Sequence, residues 1–284
     1  MNEYYIDTLL GDESKCSPHK FDSQGVMLTK VPYTQEYHYH ATAIASYAIS
    51  NINIEEIFNS QVKWLVNNIK KDGSYVHDFV LPFYEFEKSW VGGLAQGLSI
   101  SALIRAYDRY NDKIYLETAK KALQGLEKHC MFKDEEGNYW ISEFPGVPTI
   151  LNGFIYALFG VYDVVQKGNN KANSIWNECI TTLEKNIDKY DMGYWSRYDL
   201  KTGIPATPFY HKIHIKQLSV LSDLTSIKRF KVFSDKWEKR ANKKYNNFRV
   251  KLKRNTMIVK KHGITGTYRR YDERKKWLKG GDIT

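Results

Sequence analysis

The chain has 284 residues, of which 42% are hydrophobic and 26% charged, values that are ordinary for a soluble globular protein of one large or two small domains. The three cysteines, Cys16, Cys130 and Cys179, are far apart and show no CxxC or Cys/His spacing, which argues against a disulfide framework and a zinc site. The first residues, MNEYYIDTLLGDESK, lack the basic and apolar segments of a signal peptide, so we expect a cytoplasmic protein.

The net charge of +10 is concentrated at the C-terminal end. Residues 226–284 carry 20 Lys and Arg against 5 Asp and Glu, whereas residues 1–225 have a net charge of −5. A basic tail of this kind suits an acidic glycan or an anionic membrane surface, and also a solvated extension with no specific partner. We expect a glycan or peripheral membrane contact rather than nucleic acid.

Two kinds of helical pattern alternate along the chain. The first is apolar and rich in small residues, and comprises ATAIASYAIS, GGLAQGLSISALIRAY, LNGFIYALFGVYDVV and HIKQLSVLSDL. The second is amphipathic, and comprises NIEEIFNSQVKWLVNNIKK, YLETAKKALQGLEKHC and NSIWNECITTLEKNIDK. A glycine followed by alternating aromatic and polar residues comes after each amphipathic segment, at 72–79, 136–144 and 192–200, and this pattern predicts a short hairpin.

The apolar helix, amphipathic helix and hairpin form a unit that occurs three times, and a fourth unit begins alike and ends in the basic tail. Repeats of this length predict a stacked or closed array of helical hairpins, with the apolar helices inside. We therefore predict a mainly α protein, a partial or complete α/α toroid with short β-hairpins at one end. Residues 1–31 would be an N-terminal extension, 32–240 the toroid catalytic domain and 241–284 a basic extension. A ligand site is expected at the mouth of the ring.

Several polar and aromatic residues are expected to converge at that mouth. The candidate substrate-binding residues are Tyr39, Trp90, Gln96, Tyr139, Asn152, Arg197, Lys201, His211 and His214. Glu85, Glu87 and Glu143 could supply the carboxylate pair of a glycoside hydrolase. His211 and His214 could both ligate a metal, but hydrogen bonding is the commoner role for two histidines alone, so we expect no metal.

The segments YWSRYDL and PFYHKIHIKQLSVLSDL resemble the C-terminal signature of the glucuronyl C5-epimerases, which convert D-glucuronate into L-iduronate within a polysaccharide. In that family Tyr-Asp-Leu is followed by Tyr-His-x-x-His-Ile-x-Gln-Leu, which matches 198–200 and 210–218 here. The similarity continues in SEFPGVPTILNGFIYALFGVYDV, SWVGGLAQGLSISALIRAY and, more weakly, EYHYHATAIASYAIS. Animal members carry an additional sheet domain for which this chain has no room, so it resembles a minimal bacterial version.

The resemblance implies a helical toroid that works without an organic cofactor. It also implies that Tyr198 and Tyr210 are catalytic, and that Glu143, in the position of a family Glu-Tyr-Pro motif, is an acid/base group. Phe144 departs from that motif because it has no hydroxyl. A free tyrosine is a poor base at neutral pH and must be tuned by nearby positive charge, for which Arg197, Lys201 and the histidines are candidates.

Two other functions stay open at this point. A uronate lyase begins with the same abstraction of the proton alpha to the carboxylate and then expels the group at C4. A non-catalytic acidic-glycan binding or assembly protein would need no acid/base pair, and Phe144 is the best argument for it. In all three cases the partner is an acidic polysaccharide or glycolipid, and a homodimer is compatible with the sequence.

Overall fold

The computed structural model describes residues 19–31, 34–81, 89–147 and 149–279, and helices make up most of them. The helices are α1 (Ala41–Ser50), α2 (Glu55–Asn68), α3 (Gly93–Tyr110), α4 (Lys113–Cys130), α5 (Leu151–Val165), α6 (Asn170–Asn186), α7 (Pro208–Thr225), α8 (Lys228–Ala241) and α9 (Lys244–Lys279). The strands are β1 (His19–Phe21), β2 (Met27–Lys30), β3 (Tyr37–Tyr39), β4 (Met131–Lys133) and β5 (Tyr139–Ile141). A 3-10 helix, Ile187–Tyr190, follows α6.

The first eight helices form four helical hairpins, α1–α2, α3–α4, α5–α6 and α7–α8. Helix α3 packs between α1 and α5, and α5 packs on α7, so the apolar helices form an inner row. The amphipathic helices α2, α4, α6 and α8 cover this row from outside. The predicted α/α toroid is confirmed in partial form, as an arc with α1 and α7 at its ends. The fourth unit is a complete hairpin, because α8 buries Phe230, Phe233 and Trp237.

Small residues allow the inner helices to approach each other closely. Every residue of α3 from Gly93 to Ala106 is buried. A Cβ atom on Gly97 would lie 2.4 Å from the Cα of Ala157, and one on Gly160 would lie 2.2 Å from the carbonyl oxygen of Gly97. The α3–α5 contact is therefore made partly between backbones, which explains why the inner segments are rich in glycine and alanine.

One ion pair is buried between these two helices. Arg105 of α3 donates a 2.9 Å hydrogen bond to Asp163 of α5, and both side chains are only 7% exposed. The same guanidinium donates to the Ser101 carbonyl at 3.0 Å. Burying two charges costs solvation free energy, which this close pairing offsets.

The hairpins gather at one end of the arc because the connections differ in length. Each inner helix joins its outer partner by a link of two to four residues, at 51–54, 111–112, 166–169 and 226–227. The longer segments that lead back to the inner helices carry β4–β5 and the segment 191–207. All four inner helices therefore begin at the hairpin end, where their positive dipole ends favour an anion.

A three-stranded antiparallel sheet precedes α1. Strand β2 lies between β1 and β3, with Phe21 opposite Met27 and Leu28 opposite Tyr39. The ring of Phe21 lies 5.4 Å from that of Tyr47 on α1, so the sheet is attached to the first hairpin. Contacts thus cross the predicted boundary between the N-terminal extension and the toroid.

The basic C-terminal segment forms α9, which is interrupted at Gly263, where φ is 71° and ψ is 173°. Val250 of α9 is fully buried in a cluster with Trp195 and Ala206 of the third hairpin segment. The domain boundary at residue 241 stays a prediction, and this contact crosses it. None of the helices among the described residues has the length and apolar character needed to cross a lipid bilayer.

Candidate active site

Tyr198 and Tyr210 form an aromatic pair at the mouth of the arc. Their ring centroids are 5.0 Å apart, and the ring planes are inclined by 49°. The backbone of Tyr198 is held on both sides, because its N–H donates to Ile204 and its carbonyl accepts from Leu151 at the start of α5. Tyr210 lies in the first turn of α7, where its N–H donates to the capping hydroxyl of Thr207. The structure therefore brings together the two tyrosines that the resemblance singles out.

Arg254 of α9 is the cation beside this pair, and the sequence analysis did not single it out. Its guanidinium donates a hydrogen bond to the carbonyl of Pro205, next to the hairpin segment of Tyr198. Burial lowers the pKa of Arg254, while electrostatic interaction with Tyr198 and Tyr210 acts in the opposite direction. An arginine stays protonated despite such a shift, so a positive charge acts on both tyrosines. The position of Arg254, 44 residues after Tyr210 in a run of basic residues, carried no signal that pointed to the site.

Glu143 lies over the first turn of α5 and is 5% exposed. Its carboxylate occupies the space that a side chain at residue 153 would need, since a Cβ on Gly153 would lie 1.9 Å from Oε2. The glycine in Leu151-Asn152-Gly153 therefore makes room for the carboxylate at the N-terminus of a helix. Because Tyr198 bonds to Leu151 in the same turn, Glu143 and Tyr198 both border the beginning of α5.

Asn152 and Gln217 supply polar atoms next to Glu143. The Gln217 amide donates to the Asn152 carbonyl at 3.0 Å, which ties α7 to α5. Both side chains are buried, and the oxygens Asn152 Oδ1 and Gln217 Oε1 accept no hydrogen bond from the described residues. Asn152 thus remains a candidate for contact with substrate hydroxyls, and Gln217 is a polar group that the sequence analysis did not select.

Phe144 is half-buried and packs against a second hydrophobic cluster. Its ring lies 5.6 Å from that of Trp90, which is buried with Phe79 and Leu81. The indole N–H of Trp90 donates to the carbonyl of Phe79 at 3.0 Å. Trp90 therefore supports the wall of the mouth, and its predicted role as a substrate contact stays a prediction.

His211 and His214 are fully buried beneath the third hairpin segment. The Ser196 hydroxyl bridges them, with 2.7 Å to Nδ1 of His211 and 2.8 Å to Nδ1 of His214. Burial lowers the pKa of His211 to about 3 and that of His214 well below its usual value. Both rings are therefore neutral at pH 7. The expectation that these histidines supply positive charge to the tyrosines is not favoured, because desolvation removes their protons.

Arg197 and Lys201 differ in their surroundings. The Arg197 guanidinium donates to the carbonyls of Lys189 and Gly203, so it holds the hairpin segment together. Lys201 is exposed and donates to the Gly146 carbonyl at 2.7 Å, on the loop that follows Glu143. Of the two predicted cations, Lys201 is better placed for a substrate carboxylate.

Gln96 is buried, and its side-chain amide hydrogen-bonds to backbone groups inside the protein. It accepts from the Tyr75 N–H at 2.7 Å and donates to the carbonyls of Gly73 and Ala122 at 2.9 Å. These bonds fix the turn after α2 against α4. A substrate contact by Gln96 is not favoured, because its hydrogen-bonding groups are engaged inside the protein.

Of the remaining predicted tyrosines, Tyr39 is exposed and Tyr139 is half-buried against the core. The Tyr39 hydroxyl donates to Asp22 at 2.8 Å, and the ring of Tyr39 stacks on Trp64. The Tyr139 backbone bonds to Thr182 of α6, and its ring is covered by the ammonium of Lys133. Neither contact joins these tyrosines to the Tyr198–Tyr210 pair. Glu85 and Glu87, the other predicted carboxylates, lie outside the described residues.

A second pair of histidines, the half-buried His40 and the buried His77, contacts Trp90. The His40 and His77 rings are 4.7 Å apart, and His77 stacks on the indole at 4.1 Å. Burial lowers the pKa of His40 to about 4 and that of His77 well below its usual value. Like the first pair, these rings are neutral at pH 7. The cations beside the site are therefore Arg254 and Lys201 rather than histidines.

Comparison with known proteins agrees with this geometry. A family model of the D-glucuronyl C5-epimerase C-terminus matches residues 70–239, which is more than half of the chain. The match includes Glu143, Tyr198 and Tyr210, and it ends before Arg254.

Two curated relatives match at low identity. A D-glucuronyl C5-epimerase of Caenorhabditis elegans is 27% identical over 214 residues, which cover 63% of this chain and 34% of that protein. An uncharacterized protein of Methanocaldococcus jannaschii is 30% identical over 173 residues, or 57% of this chain and 56% of that protein. The chain thus spans about a third of the first relative and just over half of the second.

Among solved structures, a polysaccharide lyase superposes with a TM-score of 0.48 at 13% identity, covering 82% of this chain and 68% of the lyase. The family match rests on the segments that form the mouth, from the first hairpin segment to α8. The chain therefore belongs to the D-glucuronyl C5-epimerase C-terminal family.

Proposed function

We propose that the protein inverts C5 of D-glucuronate residues in an acidic polysaccharide or lipid-linked glycan, giving L-iduronate. The observation that carries this proposal is the Tyr198–Tyr210 pair with the half-buried cation of Arg254, and Glu143 at the same helix end. Each element answers a requirement of the reaction. The substrate is anionic, the C5 proton is weakly acidic, and inversion needs proton transfer on both faces of the sugar ring.

The uronate carboxylate is placed at the beginnings of the inner helices. The positive dipole ends of these helices favour negative charge, and Lys201 adds an exposed cation at the rim. Removal of the C5 proton delocalises charge onto this carboxylate as an enediolate. Groups already aimed at that charge stabilise it without reorganising during the reaction.

The tyrosine pair is assigned to one face of the ring. A guanidinium beside a phenol favours the ionised form, which is the form that accepts a proton. Arg254 is next to both rings, and either hydroxyl is a candidate for the base. Positioned proton-transfer groups contribute about 10²–10⁴-fold to rate.

Glu143 is assigned to the opposite face, where its protonated carboxyl group gives a proton to C5 and is left as a carboxylate, while the tyrosine keeps the proton it removed. In the family motif this carboxylate is followed by a tyrosine, and here Phe144 packs on Trp90 instead. The second proton transfer therefore depends on Glu143 alone at this motif. This division of work predicts that loss of Glu143 affects inversion more than exchange of the C5 proton.

The test is incubation of the full chain with an unsulfated glucuronate polymer in deuterated water, followed by proton NMR. Epimerisation removes the H5 signal and adds iduronate resonances. Tyr198→Phe and Tyr210→Phe should abolish this change, whereas Tyr245→Phe, which alters a tyrosine that is 70% exposed, should retain it.

Other outcomes contradict the proposal. An unsaturated uronate signal would make the protein a lyase. Tight binding of the polymer without deuterium exchange, unchanged in both tyrosine variants, would make it a glycan-binding protein. Exchange without inversion would limit the reaction to one face and refute the role given to Glu143.

A further inference from the structure

Helix α9 has two faces with different environments. One face is turned toward the protein, where Val250 is fully buried and Asn246 is 6% exposed. Arg254, one turn beyond Val250, reaches the carbonyl of Pro205 from the same face. Residues four apart lie on one side of an α-helix, so this face is continuous over two turns.

The opposite face is apolar and exposed. Tyr245 is 70% exposed, Phe248 67% and Leu252 58%, which makes them three of the four most exposed large hydrophobic residues among those described. Their spacing of three and four places them on one stripe, about half a turn away from Val250. Single exposed apolar residues are common, but a contiguous stripe marks a contact surface.

Basic residues border this stripe. Lys244 and Lys251 lie on one side of it by helical spacing, and Arg249 and Lys260 on the other. Residues 244–261 contain seven Lys and Arg and no Asp or Glu. Arg249 also covers the ring of Tyr194 at 3.9 Å, which attaches this edge of the helix to the protein.

We propose that the face formed by Tyr245, Phe248 and Leu252 binds an anionic lipid bilayer, with α9 lying in the plane of the interface. An apolar stripe between two basic edges is complementary to acyl chains below and acidic headgroups above. A second copy of the chain fits this face less well, because two copies of the segment 244–261, which has seven Lys and Arg and no acidic residue, would repel each other. An acidic glycan could bind to the cations and stack on the ring of Tyr245, but contact with Leu252 would add little to its affinity.

The location of this face bears on the active site. The inward face of the same helix contacts the segment that carries Tyr198, so a bilayer bound to the outward face lies close to the mouth. A glycan attached to a lipid would reach the mouth from that direction. The proposal itself does not depend on the reaction, because binding to lipid is measured without substrate.

The experiment is co-sedimentation of the full chain with phosphatidylcholine vesicles that contain or lack phosphatidylglycerol. Binding is expected for the anionic vesicles and should weaken as salt is added. The double variant Phe248→Ser with Leu252→Ser should lower the partition coefficient by at least roughly tenfold, since it removes most of the inserted apolar area. Lys244→Gln and Lys251→Gln should each lower it roughly fivefold.

Matched controls distinguish binding through this face from nonspecific association of the protein with vesicles. Ile54→Ser with Ile114→Ser removes two other exposed apolar side chains, at 51% and 48% exposure, and should leave binding unchanged. Lys63→Gln with Lys71→Gln removes two exposed lysines near the first hairpin. All variants should show the same thermal unfolding midpoint as the parent.

Three results would overturn the proposal. The first is equal sedimentation with neutral and anionic vesicles, or with neither. The second is a dimer of the parent protein in analytical ultracentrifugation, with the Phe248/Leu252 variant sedimenting as a monomer. The third is binding to a soluble glucuronate polymer, rather than to vesicles, that this variant abolishes.

Discussion

Arg254 donates a hydrogen bond to the carbonyl of Pro205, and this contact closes the C-terminal helix over the hairpin segment that carries Tyr198. Since Pro205 pairs with Arg197 in a backbone bridge, the bond anchors α9 to the strand next to the candidate base. The consequence is electrostatic. A cation from beyond the segment matched by the family model interacts electrostatically with both tyrosines of the candidate site.

Replacing Arg254 by Gln should therefore lower kcat at neutral pH by at least roughly tenfold, because a cation that favours the ionised phenol is lost. The rising limb of the pH–rate profile should move to higher pH, and Arg254→Lys should restore part of the activity. Lys253→Gln, a change at the exposed neighbouring position, is the control. A loss of activity with no change in the pH profile would mean that Arg254 acts only on structure.

Gly153→Ala should separate activity from stability. The added methyl group would lie 1.9 Å from the Glu143 carboxylate and 2.8 Å from the Glu143 Cβ, so the whole Glu143 side chain must shift. Displacing a catalytic group by about 1 Å costs on the order of 10²-fold in rate. Stability should fall by less than it does in Gly160→Ala, because the contact is with one side chain rather than with backbone and alanine is the better helix former.

Gly160→Ala provides the contrast, since its methyl group meets the backbone of Gly97 at 2.2 Å. This overpacking should cost about 1–3 kcal/mol in the free energy of unfolding. Denaturant titration of both variants, together with deuterium-exchange rates, measures the two effects. A stable, fully active Gly153→Ala protein would contradict the placement of Glu143.

The buried pair of Arg105 and Asp163 should be sensitive to loss of one partner. Asp163→Ala leaves a guanidinium that is only 7% exposed without its carboxylate, and should cost about 3–5 kcal/mol. The exposed pair of Lys120 and Glu117 is the matched control, and Lys120→Ala should cost less than about 1 kcal/mol. Chemical denaturation measures both costs. Equal losses in the free energy of unfolding would contradict the expectation that burial makes the first pair more sensitive.

The buried histidines should make stability fall with acidification. Their pKa values in the folded protein, about 4 for His40 and about 3 for His211, are below those of the unfolded chain. The unfolded state therefore binds more protons below about pH 6.5, and the stabilisation present above that pH is lost as pH falls toward these folded values. Unfolding free energies measured from pH 7.5 down to 4.5 test this. In NMR spectra of the folded protein, the imidazole resonances of these histidines should not titrate near neutral pH. A flat profile, or titration near pH 6.5, would contradict it.

The sequence alone was sufficient for the architecture. Apolar and amphipathic segments alternate, and a helix that is apolar all round is stable only where other helices surround it. That requirement places α1, α3, α5 and α7 inside. The roles of Tyr198, Tyr210 and Glu143 came from motif resemblance, because any of the 21 tyrosines would look alike by composition.

The tertiary structure decided what lies beside those residues and which groups are charged. Gln96 was predicted near substrate, but its amide is consumed by three backbone groups from different parts of the chain. The histidines were expected to be cations, but desolvation makes them neutral. Arg254 belongs to a tail that looked merely basic. Charge states and neighbours depend on burial and on contacts between distant segments, and neither is a property of local sequence.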